Sequence, residues 1–114
     1  MDLSAFVGCD LNQIALGRFQ VQFHFAGAGI ISAESGWELR GPEGELVDAE
    51  EPHEGRDLYR LHRVLDAQVI RYALDPPRSF TLFLDSGHAL TVFDGSDQYE
   101  SVLIRLESGS IIVI

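Results

Sequence analysis

The feature that most constrains this chain is a period-two alternation that occurs twice. Phe19, Val21, Phe23 and Phe25 fall on one side, with Gln20, Gln22 and His24 between them. Phe80, Leu82 and Leu84 likewise alternate with Thr81 and Phe83. An extended strand sends successive side chains to opposite faces, so this pattern predicts half-buried antiparallel strands. Glycine turns punctuate them. Gly27-Ala28-Gly29 leads to a return over 30–34, Ser35-Gly36 breaks it, Trp37 to Arg40 resumes, 41–44 turns, and Glu45 to Asp48 closes a first half. In the second half, strands are expected over 68–74, 80–84, 89–93, 99–106 and 110–114. Asp75-Pro76-Pro77-Arg78, Asp85-Ser86-Gly87-His88, Asp94-Gly95-Ser96-Asp97 and Ser108-Gly109 supply the turns between them.

The halves, about 10–48 and 68–114, resemble each other. With residue 23 over residue 82, the hairpins align without a gap for fourteen positions. Phe23 meets Leu82, Phe25 meets Leu84, Ile31 meets Leu90 and Gly36 meets Gly95. Allowing two short gaps, Trp37-Glu38 meets Tyr99-Glu100, Leu39-Arg40 meets Ile104-Arg105, and Gly44 meets Gly109. The aligned parts give the same order on both sides: four strands, a helix, four strands. Short connections favour antiparallel, meander-type neighbours.

Between the halves, 49–66 has no counterpart in this alignment. After the polar, acidic stretch 49–55, Leu58, Leu61, His62 and Leu65 recur at i, i+3, i+4 and i+7, which predicts a three-turn amphipathic helix over 56–65. Glu54 and Asp57 suit the positive end of its dipole. The expected fold is therefore α+β but mostly β: one domain, two similar antiparallel halves, and a short helix between them covering one sheet face.

Composition narrows the function. The chain has 114 residues, 46% apolar and 23% charged, enough apolar material for one core. The net charge of −10 repels phosphates and anionic headgroups, so neither nucleic acid nor membrane is an expected partner. All eight basic residues are arginines, which removes lysine-dependent chemistry. Cys9 is the single cysteine, suiting a reducing compartment. With Asp2 where a basic n-region would stand and only short apolar runs, the expectation is a cytoplasmic protein.

No residues at catalytic or metal-ligand spacing stand out. Cys9, His24, His53, His62 and His88 are scattered, and neither CxxC, HExxH nor GxSxG occurs. The loop with Asp94, Ser96, Asp97 and Glu100 has oxygen donors but not EF-hand spacing. The reading is no enzyme, no cofactor and no metal. The strongest local feature is acidic: Glu43, Glu45, Asp48, Glu50, Glu51, Glu54 and Asp57, seven carboxylates in fifteen residues. Such a run is either a solvated linker or a docking surface for a basic protein, whose association it would speed.

Leu61 and Leu65, Gln68-Val69, the stretch 80–90 (Phe-Thr-Leu-Phe-Leu-Asp-Ser-Gly-His-Ala-Leu) and Asp97-Gln98-Tyr99-Glu100-Ser101 resemble a widespread uncharacterised family of small bacterial proteins. Its form is a leucine helix, G/A-Q-x-V, a strand, an acidic-x-Gly turn, a strand, then D-x-Y-E-x-W. The resemblance covers about residues 58 to 114. This chain has Ala67 where glycine is common and Val102 where tryptophan is common. Some members look like immunity proteins that neutralise secreted toxins, so the resemblance implies a non-enzymatic, protein-binding, antitoxin-like role. The implied partner is a basic protein such as a cognate toxin. A small ligand-binding or structural β module is the alternative, and a small enzyme a third reading. Edge strands, with Phe83 and Phe93 on the polar side, also allow a homodimer.

Overall fold

The computed structural model describes residues 2–17, 20–34, 36–50, 59–75, 79–93 and 102–113. Ten strands are found among them: β1 (Leu11–Leu16), β2 (Val21–Phe25), β3 (Gly29–Ala33), β4 (Trp37–Arg40), β5 (Leu46–Ala49), β6 (Val69–Asp75), β7 (Ser79–Leu84), β8 (Ala89–Phe93), β9 (Val102–Leu106) and β10 (Ile111–Val113). They form two antiparallel five-stranded sheets, ordered β1-β2-β3-β9-β10 and β5-β4-β8-β7-β6. The molecule is mostly β, as the alternation predicts.

The expected meander holds only in part. In each half the third and fourth strands do not pair. After Ala33 the chain passes through Gly36 and enters the other sheet at Trp37, so β4 pairs with β8 and β3 with β9. Each sheet is thus three strands from one half completed by two from the other. The crossing brings the apolar faces of both sheets onto one core. Phe23, Ile31 and Ile104 of one sheet and Leu39, Leu82 and Leu90 of the other are all fully buried in one apolar cluster between the sheets. Phe23 meets Trp37 edge-on across it, with centroids 6.3 Å apart.

The registers relate the halves by a pseudo-two-fold axis. Ile31 lies opposite Ile104, and Leu90, the counterpart of Ile31, lies opposite Leu39, the counterpart of Ile104. The β1–β2 ladder slips between Leu11 and Gln13, and the β6–β7 ladder slips at the corresponding Val69 and Arg71. Gly8 N–H donates to Val69 O at 2.7 Å, and Asp66 N–H donates to Leu11 O at 2.7 Å. Both donors have positive φ. Asp10 and Gln68 occupy corresponding positions and bridge to each other, which places the axis between them. The same registers carry Trp37 onto Val102; Tyr99 and Glu100, the expected match, lie outside the described residues.

The three-turn helix over 56–65 is corrected. Its described part holds one 3-10 turn, Leu61–Val64, and residues 51–58 lie outside the described residues. A 3-10 turn repeats every three residues. Leu61 and Val64 therefore point into the core, while His62 is exposed and Leu65 is 41% exposed. Nor is this segment without a counterpart, because Ser4–Phe6 forms a matching turn with Leu3 and Phe6 buried. Among the described residues no helix is long and apolar enough to cross a membrane.

Candidate functional site

The acidic run begins on the β4–β5 hairpin, at one edge of the second sheet. Backbone bonds hold the turn: Gly41 N–H donates to Glu45 O at 2.8 Å and Gly44 N–H to Gly41 O at 2.9 Å. Arg40 braces it from below. Its Nη1 donates to Gly44 O at 2.9 Å, and its Nε pairs with Glu38 at 3.0 Å, the one ion pair among the described residues. Glu45 Oε1 accepts from Glu43 N–H at 3.0 Å, which orients that carboxylate over the turn. Glu43 and Glu45 are exposed at the turn with Leu46 beside them, 55% exposed, and Glu50 is exposed past the far end of β5, where its N–H donates to Trp37 O at 2.9 Å. The arrangement is an ordered, acid-tipped hairpin with an apolar neighbour.

Asp48 differs from the others. It lies opposite Leu39 and faces inward, 4% exposed. Its Oδ2 accepts from Arg60 N–H at 2.6 Å and its Oδ1 from Ala49 N–H at 2.9 Å. The carboxylate ties the end of β5 to the start of the 3-10 turn and adds nothing to the exposed charge. Asp48→Ala should therefore cost about 1–3 kcal/mol, from the loss of two part-buried hydrogen bonds to a carboxylate. Asp48→Asn, which keeps an acceptor, should cost less. Urea unfolding of both variants checks this, and equal losses would show that the acceptor is immaterial. Glu51, Glu54 and Asp57 lie outside the described residues.

The remaining sequence candidates are dispersed. No group of three or more His, Cys, Asp or Glu side chains able to hold a metal occurs among the described residues. His24 shares a 3.1 Å hydrogen bond with Gln22 Oε1, and His88 Nδ1 one of 2.9 Å with Ser86 Oγ. Cys9 is half-buried, its Sγ 3.4 Å from Ala5 O. His53 and the loop with Asp94, Ser96, Asp97 and Glu100 lie outside the described residues. At the chain start, Ser4 N–H donates to Asp2 Oδ1 at 2.8 Å and holds that carboxyl below the usual carboxylate range.

One surface escaped the sequence reading. The outer face of the first sheet has an open hollow of about 260 Å³, lined in part by Gln13, His24, Ile30 and Arg105. A second of about 160 Å³ continues it past Gln22, Ser32 and Leu103. Arg105 corresponds to Arg40, but the position of that arginine's partner Glu38 is taken by Leu103. The polar row Gln20, Gln22, His24 was legible as a strand face. That Arg105 joins it depends on the pairing of β3 with β9, which alternation does not disclose.

No protein-family model, curated protein or solved structure matches the chain.

Proposed function

We propose that this protein is a non-enzymatic binding module of the toxin-immunity kind, whose partner is a basic protein. The observation that carries the reading is the acidic β4–β5 hairpin, where Glu43 and Glu45 are exposed on a backbone-braced turn and Glu50 is exposed just past the far end of β5, in a chain of net charge −10. A pre-ordered acidic edge attracts a basic surface over roughly a Debye length, about 8–10 Å at moderate salt, and so raises the association rate. Exposed Leu46 offers apolar area beside the charge. The resemblance of 58–114 to immunity-like proteins supports the same role.

The test uses purified full-length protein and the basic proteins encoded beside its gene. One of them should bind, with an association rate that falls as salt is raised. The triple variant Glu43→Gln, Glu45→Gln, Glu50→Gln should slow association about tenfold or more while leaving the circular dichroism spectrum unchanged. Binding to none of these proteins, or binding unchanged by the triple variant, overturns the reading.

A further inference from the structure

The four sheet edges are unequal. β10 has three residues, and β5 has four with a slip in its ladder, whereas β6 runs for seven, Val69–Asp75. An uncovered edge presents unpaired N–H and C=O groups that a second strand can use. On β6 the outer backbone groups of Val69 are already engaged, its C=O by Gly8 N–H and its N–H by Cys9 O. Further along, the direction of each group follows from β7. Leu84 N–H bonds to His88 O and so points toward β8. Groups alternate along a strand, so Phe83 N–H points toward β6, where it faces Arg71. Arg71, Ala73 and Asp75 therefore direct their backbone groups toward β7, and Tyr72 and Leu74 direct theirs outward. Ile70 and Leu74 on this edge are 52% and 38% exposed.

We propose that β6 pairs antiparallel with β6 of a second copy of this chain, about a two-fold axis at Ala73, so that the second sheets of two molecules become one continuous sheet. Three features converge on this register. Tyr72 of one copy meets Leu74 of the other, and these are the residues whose backbone groups point outward. Arg71 of one copy falls opposite Asp75 of the other, and symmetry makes the pair twice. Both lie at positions where antiparallel partners approach most closely, and neither forms an ion pair among the described residues. The Arg71 guanidinium carbon stands over the Phe83 ring, 3.6 Å from its centroid, a contact that uses the face of the ring and none of the guanidinium's capacity to pair with a carboxylate. The β6–β7 register ends at Asp75, and the next residue in sequence is a proline, which has no N–H to offer a partner strand. The pseudo-equivalent edge β1 has Gln13 and Gly17 at these positions and offers no such pair. The inference is independent of the toxin-immunity reading.

Sedimentation equilibrium of the full chain over a wide concentration range tests it. The protein should dimerise. Arg71→Asp and Asp75→Arg should each weaken dimerisation about tenfold or more, by placing like charges opposite each other twice. The combined exchange Arg71→Asp with Asp75→Arg should restore it. Should Arg71→Asp fail to fold for want of its contact with Phe83, Asp75→Arg at the exposed strand end decides alone. A protein that stays monomeric, a dimer indifferent to Asp75→Arg, or a folded double exchange that fails to dimerise overturns the proposal.

Discussion

Gly29→Ala is expected to destabilise this protein far more than Gly44→Ala, although both glycines have positive φ. At Gly44 (φ +83°) an added Cβ meets nothing within 4 Å, so the variant bears only the conformational penalty of the left-handed region, about 1 kcal/mol. Gly29 (φ +146°) starts β3, where that strand pairs with β9. A Cβ there would run into the carbonyl oxygen of Arg105 and stand 2.9 Å from Leu106 Cα. Backbone cannot rotate aside as a side chain does. The two strands must separate, and they belong to different halves of the chain. Strain and overpacking each cost about 1–3 kcal/mol, a large share of the roughly 5–15 kcal/mol that holds a typical domain together. Urea midpoints of the two variants measure the difference. If they agree within about 1 kcal/mol, the β3–β9 contact is not as close as described.

The second large effect is expected at Phe23. Its side chain is fully buried and meets Trp37 of the opposite sheet edge-on. Phe23→Ala should cost about 3–5 kcal/mol, from the lost burial and the cavity left behind. For a domain of this size that lowers Tm by more than about 12 °C. Phe83 is the natural control. It sits on the outer face of the second sheet, half-buried, with Arg71 across its ring. Phe83→Ala leaves no closed cavity and should cost clearly less. Thermal unfolding of both separates the cases, and equal losses would mean that the core does not lie between the two sheets.

Several strands were legible because their alternation is unbroken. Val21–Phe25, Ala89–Phe93 and Ser79–Leu84 lie almost where the residues indicate. Strand β1 was missed, and the reason is its ladder slip: the inner residues Leu11 and Ile14 are three apart, so the period-two pattern breaks at Asn12. Its counterpart β6 carries the same slip but was found, since Val69, Ile70 and Tyr72 have strong strand character. Over 61–65 the apolar spacing fits both an α-helix and a 3-10 turn, and sequence spacing does not discriminate them. The acidic surface was read from charge alone. Burial then divided it, leaving Glu43, Glu45 and Glu50 outward and turning Asp48 into a structural acceptor for Arg60 N–H.

By itself the sequence determined that the chain builds antiparallel strands, which face of the hairpins is buried, and that the halves share a pattern. Each is local, because alternation acts through neighbours along one strand. Only the tertiary structure decided which strands become neighbours. β3 does not fold back on β4, and β8 does not fold back on β9; each takes its partner from the other half. Alternation states which side of a strand meets the core but not which backbone lies beside it. That choice was made by the apolar faces of the two sheets closing on one another, with Phe23 against Trp37, while Asp10 bridged to Gln68 joins the halves at the axis.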